Sequence, residues 1–554
     1  MATLFQRIFT STLSVSAILL ACKAFGYVEK ASLGALYGDA GRFQMDVFLA
    51  TAVLVVLFYD ILRYSLIPAL IPALERARLE EGEHTEWRIA STFINVLVPL
   101  LFLGVIAGIL FPERIVVLFN RESAGVAGGS AIYQDRLRLS ALVLRIMLSG
   151  GVFLIVGSIA YAMLNSRRHF AAAALGDLTF KAIAFLPLAA LLILKALGPP
   201  WDERVLTSGL RLLASGVAAA CAGLFLVQLV PLRDQLRLYR LSVDLRDPAV
   251  RGVVGSAALP FVYACFFWGA RRVFDIYFGF WFVEQTGSYG YYSGLEFSYR
   301  LCEFPFRIVI EPLGYVVFPF LTALAVAGKR DELSVAVMTA IRAVILLLVP
   351  AAVALFLLRG PVVAALFRFG AFGPEMQRLA TLPLGFYALG MVGFGVELIL
   401  ARVYFSMGEA KWPALLEIAA FLVYLLTVLM LRHSGLQHGC IALGFALART
   451  AKALALFFGL ATKLGTLRLR ENVRVLTKIA VSGLFMGIVI RFSAGFLEQY
   501  LHMSSKVHQL VLVAAPALAG SLVYVVFILV LRVREVLDLV AMARERRADR
   551  VSLT

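Results

Sequence analysis

The chain has 554 residues, 61% of them hydrophobic and only 16% charged, with a formal net charge of +17. Soluble proteins carry about a quarter charged residues, so this composition excludes an ordinary soluble enzyme. The basic excess is scattered over short loops, which excludes a nucleic-acid-binding domain. Apolar runs of about 20 residues, the length a helix needs to cross a bilayer, recur from end to end. Inside lipid every backbone polar group must be paired within its own segment, so these runs are predicted helices.

In chain order, fourteen spans are predicted, near residues 9–37, 46–73, 88–111, 137–164, 170–196, 205–230, 251–283, 291–325, 334–358, 379–406, 412–432, 437–462, 475–497 and 508–531. A cytoplasmic N-terminus puts Arg76, Arg78, Arg167, Arg168, Arg233, Arg237, Lys329, Arg330 and Lys463 in cytoplasmic loops, along with the tail from Arg532 to Arg550. That places roughly two dozen basic residues inside against about ten outside, the asymmetry that orients membrane proteins. An even number of spans leaves both termini cytoplasmic, with 533–554 a basic surface segment. Cys22, Cys221, Cys265, Cys302 and Cys440 lie inside apolar runs, at spacings that make no metal or redox motif.

The two halves of the chain echo each other. Span two ends near Pro68 and Pro72, and span eight near Pro319. Leu118-Phe119 and Leu366-Phe367 follow the third helix of each half, and short charged loops open new helices near Phe170 and Trp412. With a common offset of about 245 residues, two six-span halves are expected, in the same orientation and related by an axis along the membrane normal. They cover 1–230 and 231–465, and spans thirteen and fourteen, within 466–532, lie outside the repeat.

A charge at membrane depth costs about 3 kcal/mol or more unless it meets a partner or a wet cavity, so intramembrane charges mark the candidate site. Span eight carries Glu296, Arg300, Glu303, Arg307 and Glu311 at helical spacing, one stripe of alternating sign. Arg300 falls roughly 14 Å from the outer end, near mid-membrane. Span one adds Lys23, Glu29 and Lys30; span two adds Asp60 and Arg63, one turn apart and able to pair with each other. Arg145, Asp177, Lys181, Arg271, Arg272, Asp275, Glu397 and Arg402 follow in spans four, five, seven and ten. Two readings stay open: a self-neutralising ladder that holds span eight to its neighbours, and a charged cavity between the halves where arginines fork onto phosphate. The chain has no Walker A sequence and no Gly-x-Ser-x-Gly elbow, and its six histidines are scattered. ATP-driven transport by this chain, hydrolase chemistry and a metal centre are therefore not expected.

Tyr299, Arg300, Leu301, Cys302, Glu303 and Pro305, followed by Gly314 and Pro319, resemble the span-eight signature of the MurJ/MviN family. Gly26 through Gly38 with Asp46, Leu164-Asn165 with Phe170, Leu366 through Phe372, and Tyr387, Gly390, Tyr404, Gly408 and Pro413 resemble further family motifs, in order. The resemblance implies an all-α polytopic membrane protein with a MATE-like fold of the multidrug/oligosaccharidyl-lipid/polysaccharide exporter superfamily. Two six-helix lobes are joined there by two C-terminal helices that form a groove for a polyprenyl tail. It implies a flippase rather than an enzyme. The cargo would be lipid II, the undecaprenyl-diphosphate-linked peptidoglycan precursor, moved from the cytoplasmic to the periplasmic leaflet of the bacterial inner membrane by alternating access. No cofactor is implied beyond a coupling cation or the membrane potential. The implied partners are lipid II, membrane lipids and the cell-wall synthesis machinery, with the chain a monomer.

In that resemblance Arg300 matches the family's span-eight arginine, Glu303 the acid beside it and Asp46 the acid opening span two, while Lys23 stands at a span-one arginine. With Lys30, Arg63, Arg271, Arg272 and Arg307, these cations form the expected diphosphate site. Glu303, Asp46, Glu29, Asp60, Asp275 and Glu311 are the expected cavity acids. The sequence departs from the pattern at Glu29, where a second span-one arginine is expected, and at Tyr59 and Asp60, near a span-two arginine. The alternatives are a flippase for another polyprenyl-diphosphate-linked glycan, such as an exopolysaccharide or O-antigen unit, and a cation-coupled small-molecule antiporter of the same fold.

Overall fold

The structure, a computed structural model, describes residues 2–117, 129–198, 201–465, 469–501 and 505–533. Arg307 and Glu311 and the tail from 534 onward are expectations whose side chains lie outside the described residues. Among the described residues the fold is all-α. Its long helices are α1 Ala2–Tyr37, α2 Arg42–Glu80, α3 Glu83–Leu110, α4 Arg136–Ser166, α5 Phe170–Leu197, α6 Glu203–Leu238 and α7 Pro248–Thr286. They continue as α8 Tyr291–Val326, α9 Arg330–Leu357, α10 Pro374–Ser406, α11 Lys411–Leu431, α12 Gly439–Leu464, α13 Leu469–Glu498 and α14 Lys506–Val530. Twelve of these are long and apolar enough to cross a membrane. The other two, α1 and α8, have 36 residues each. Each predicted span coincides with one helix to within a turn or two.

Burial separates central from peripheral helices. In the apolar windows of α2, α10 and α12 more than half of the residues are buried, against 11% in α3 and α5. Exposed Leu100, Leu103, Leu186 and Leu194 mark the outer faces of those two helices, the surface that lipid covers. Pro68 and Pro72 do not end α2, which runs on to Glu80. Span seven is interrupted by one wide turn at Cys265–Ala270, where the Arg271 amide bonds the Phe266 carbonyl five residues back. Such a turn re-aims the side chains that follow it, here Arg271 and Arg272.

Two compact units emerge, one of residues 1–293 with 369–376, the other of 294–368 with 377–554. In the core of the first unit, Val250, Val253 and Ala257 of α7 join Leu62, Leu66, Ile67 and Leu70 of α2. The core of the second gathers Leu321, Val337, Ile341, Leu400, Tyr404, Leu456 and Leu460 from α8, α9, α10 and α12. In that unit α13 and α14 pair through stacked Phe485 and Phe527, centroids 4.3 Å apart. The Tyr524 hydroxyl anchors the pair by donating 2.8 Å to the Leu346 carbonyl of α9.

Helices α4 and α10 end in the same kind of turn. At the end of α4, Arg168 has φ 63 and the His169 amide reaches the Leu164 carbonyl at 2.8 Å. At the end of α10, Gly408 has φ 73 and the Glu409 amide reaches the Tyr404 carbonyl at 2.8 Å. Both are the six-to-one closure with a left-handed residue that satisfies the last carbonyls of a helix.

Candidate functional site

In the first unit, α1, α2 and α5 bring charges together that are far apart in sequence. The Arg63 guanidinium forms a two-toothed fork on Asp177, at 2.9 and 2.7 Å. Its Nη1 also donates to the Tyr59 hydroxyl at 3.0 Å, and the Tyr161 ring covers it at 4.8 Å. One turn further along α5, Lys181 donates to Glu29 of α1 at 2.8 Å. Lys23, Arg63, Asp177 and Lys181 all lie within electrostatic reach of the Cys22 thiol. Lys23, Lys30 and Asp60 are half-buried. Arg63 thus pairs with Asp177, a partner from another helix, where the sequence offered Asp60 one turn away.

In α7, just after the wide turn, Arg271 pairs with Asp275 at 2.6 Å, and Arg272 is buried next to it. Asp46 is fully buried and accepts from the amides of Gly290 and Ser293, both at 2.7 Å, and from the Ser293 hydroxyl. Those amides open α8, so Asp46 acts as an N-cap supplied by another helix. A second clasp in the same unit joins Gly38 and its neighbours to 369–376. The Asp39 amide donates to the Ala371 carbonyl, the Ala371 amide donates to the Ala35 carbonyl, and the Asp39 carboxylate accepts from the Met376 amide at 2.8 Å. Gly370, with φ 61, lies so near the Ala35 carbonyl that a Cβ would stand 2.5 Å from it.

In the second unit Arg300 pairs with Glu303 at 2.8 Å; the Arg300 side chain is 42% exposed and that of Glu303 only 8%. Glu303 borders a small cavity lined with Tyr299, Cys302, Phe306, Tyr387, Phe394 and Phe445. Phe306 and Phe394 stack at 4.2 Å, and Tyr299, Tyr387 and Phe445 meet edge to face. Glu296 is buried two turns before Glu303 on α8. Arg402 of α10 lies directly over Gly314, where a Cβ would meet its guanidinium.

One charged assembly is marked in the sequence only by Glu397. Glu397 of α10, Glu417 of α11, and Arg449 and Lys452 of α12 form a quartet in which no side chain is more than 2% exposed. Arg449 bonds Glu417 at 2.5 and 3.0 Å and Glu397 at 3.1 Å. Lys452 bonds Glu397 at 2.7 Å and also holds Glu417. Arg449 stacks over Phe445, a wall of the Glu303 cavity. The available signal was the spacing of Arg449 and Lys452, three residues apart and hence on one face of an apolar helix.

Among known proteins, the family model described as lipid II flippase MurJ matches residues 42–512. The lipid II flippase MurJ of Burkholderia cenocepacia is 24% identical over 463 residues, 82% of this chain and 84% of that protein. A probable lipid II flippase MurJ of Bdellovibrio bacteriovorus is 25% identical over 500 residues, 88% of each chain. In fold, the chain is similar to the inward closed conformation of lipid II flippase MurJ, with a TM-score of 0.70 at 18% identity over 94% of this chain and 98% of that one. It is also similar to an inward-facing multidrug resistance MATE family transporter, with a TM-score of 0.63 at 13% identity over 81% of this chain and 95% of that one. A MurJ-type arrangement of fourteen long helices, with charged side chains carried inside them, agrees with the match along the sequence: the chain belongs to the lipid II flippase MurJ family.

Proposed function

We propose that this protein is a transporter, not an enzyme, that carries lipid II from the cytoplasmic to the periplasmic leaflet of a bacterial inner membrane by alternating access. The observation that carries the reading is Arg300. It is a permanently charged guanidinium inside a membrane-length helix, still 42% exposed although Glu303 lies beside it. A residue held at that depth with an accessible fork suits a diphosphate, which accepts two parallel N–H bonds from arginine. Lys23, Lys30, Arg63, Arg271, Arg272 and Arg307 are proposed to add charge for the same head group. The lobes are taken as 1–230 and 231–465, with α13 and α14 supporting the polyprenyl tail. Membrane potential or a coupling cation would drive the cycle. The chain would act as a monomer with both ends cytoplasmic, among membrane lipids and the cell-wall synthesis machinery.

The test is rescue of a bacterium depleted of its own lipid II flippase, comparing the chain with Arg300→Ala at matched membrane levels. Growth with the parent and lysis with the variant is the expected result. Equal rescue by both removes Arg300 from the transport path. A second reading, a flippase for another polyprenyl-diphosphate-linked glycan, is favoured by the way Asp177 and Glu29 hold Arg63 and Lys181. It predicts that neither chain rescues while both accumulate in the membrane.

A further inference from the structure

The Arg63–Asp177 fork has the shape of a bound phosphate. Two carboxylate oxygens accept two parallel N–H bonds at 2.9 and 2.7 Å, the arrangement by which arginine also takes two phosphate oxygens. The guanidinium is fixed independently of that carboxylate. The Tyr161 ring of α4 lies under it at 4.8 Å, and the Tyr59 hydroxyl accepts from it at 3.0 Å. Among the described residues, Asp177 has no such second support beyond a 3.5 Å contact with the same hydroxyl. Both side chains of the pair keep about a fifth of their surface open, 24% for Arg63 and 20% for Asp177. The arrangement recurs beside it, with Lys181 held by Glu29. Around Cys22, then, the cations Lys23, Arg63 and Lys181 lie among carboxylates of the chain itself, Asp177 on Arg63, Glu29 on Lys181 and Asp60 beside Tyr59.

Cations held by carboxylates in this way are not open to a dianionic head group while the resident acids stay in place. An arriving diphosphate must take the fork from Asp177, and the returning carboxylate must take it back. We infer that Asp177 is an internal stand-in for the diphosphate, competing for Arg63 so that the head group binds loosely enough to be released. This rests on the polyprenyl-diphosphate reading given above, and it makes Asp177 a specificity-determining and release residue. A ligand binds a site that must first break an internal contact with an apparent affinity reduced by the cost of breaking it. Removing the competing charge should therefore tighten binding and slow turnover together, a pairing that a merely structural salt bridge would not give.

The experiment uses the full chain in nanodiscs and measures binding of undecaprenyl diphosphate and, separately, of inorganic pyrophosphate, to the parent and to Asp177→Asn, Asp177→Glu and Arg63→Gln. Asp177→Asn is expected to bind undecaprenyl diphosphate about tenfold tighter, the scale of one charge-assisted bond, while supporting slower growth in the rescue assay. Asp177→Glu, which keeps the charge, should return binding to the parental level, and Arg63→Gln should weaken it. Tightening with both ligands places the effect at the diphosphate; tightening with the lipid alone restricts the ligand to a lipid-borne one. If the parent binds undecaprenyl diphosphate and Asp177→Asn binds it no tighter, the inference falls and the functional reading stands. If no variant binds either ligand while all remain folded by thermal unfolding, both fall.

Discussion

Arg449 and Lys452 would each be costly alone in a helix of membrane length, yet each touches both Glu397 and Glu417. Four charges that sum to zero and bond one another can persist where a single one could not. Breaking the balance is the expensive change. Glu417→Gln leaves two cations facing one acid and should destabilise the protein by about 3–5 kcal/mol, read as a lower thermal-unfolding midpoint in detergent. Adding Lys452→Met restores neutrality, and the double variant should lose clearly less than the sum of the two single changes. Strict additivity would show that the four residues do not act as one unit. Glu397 was visible in the sequence as a charge in span ten. Its partners were not, because they come from helices separated from it by 20 to about 55 residues, and no periodicity links one helix to the next.

The helices themselves were legible because lipid leaves the backbone few choices. A run of about 20 apolar residues must be a helix, whatever it packs against. The details that escaped belong to the contacts between helices. Proline looked like an end for α2 and proved an interior residue, as it can when the helix is packed among others. The wide turn before Arg271 has no sequence signature, although it decides where Arg271 and Arg272 point. Asp46 was expected among cavity acids, and its geometry is that of a cap on the first turn of α8. Asp46→Asn retains one acceptor oxygen and loses the charge. It should weaken that turn by about 1 kcal/mol and speed hydrogen exchange at the Gly290 and Ser293 amides, with the rest of α8 unchanged. Unchanged exchange at those two amides would leave the cap without energetic weight.

For the molecule as a whole, the basic residues of the loops make a definite prediction of topology. In a variant lacking the native cysteines, Gln285→Cys in the last turn of α7 should react with a membrane-impermeant maleimide added to spheroplasts. Asp244→Cys, in the loop before α7, should react only after the membrane is opened. The opposite pattern would invert the assignment of both termini. The sequence by itself determined the number, length and order of the helices, their membrane setting and the family motifs around Arg300, because each depends on local composition or on residues within a turn or two of one another. It also marked most of the intramembrane charges, since a charge in an apolar run stands out without any neighbour. Tertiary structure alone decided which charge meets which: Arg63 with Asp177, Lys181 with Glu29, Arg449 and Lys452 with two glutamates, Asp46 with the start of α8. The physical reason is that an ion pair acts over a few ångströms in space, and the helices that bring its partners within that distance are set by packing across the whole unit rather than by the order of residues along the chain.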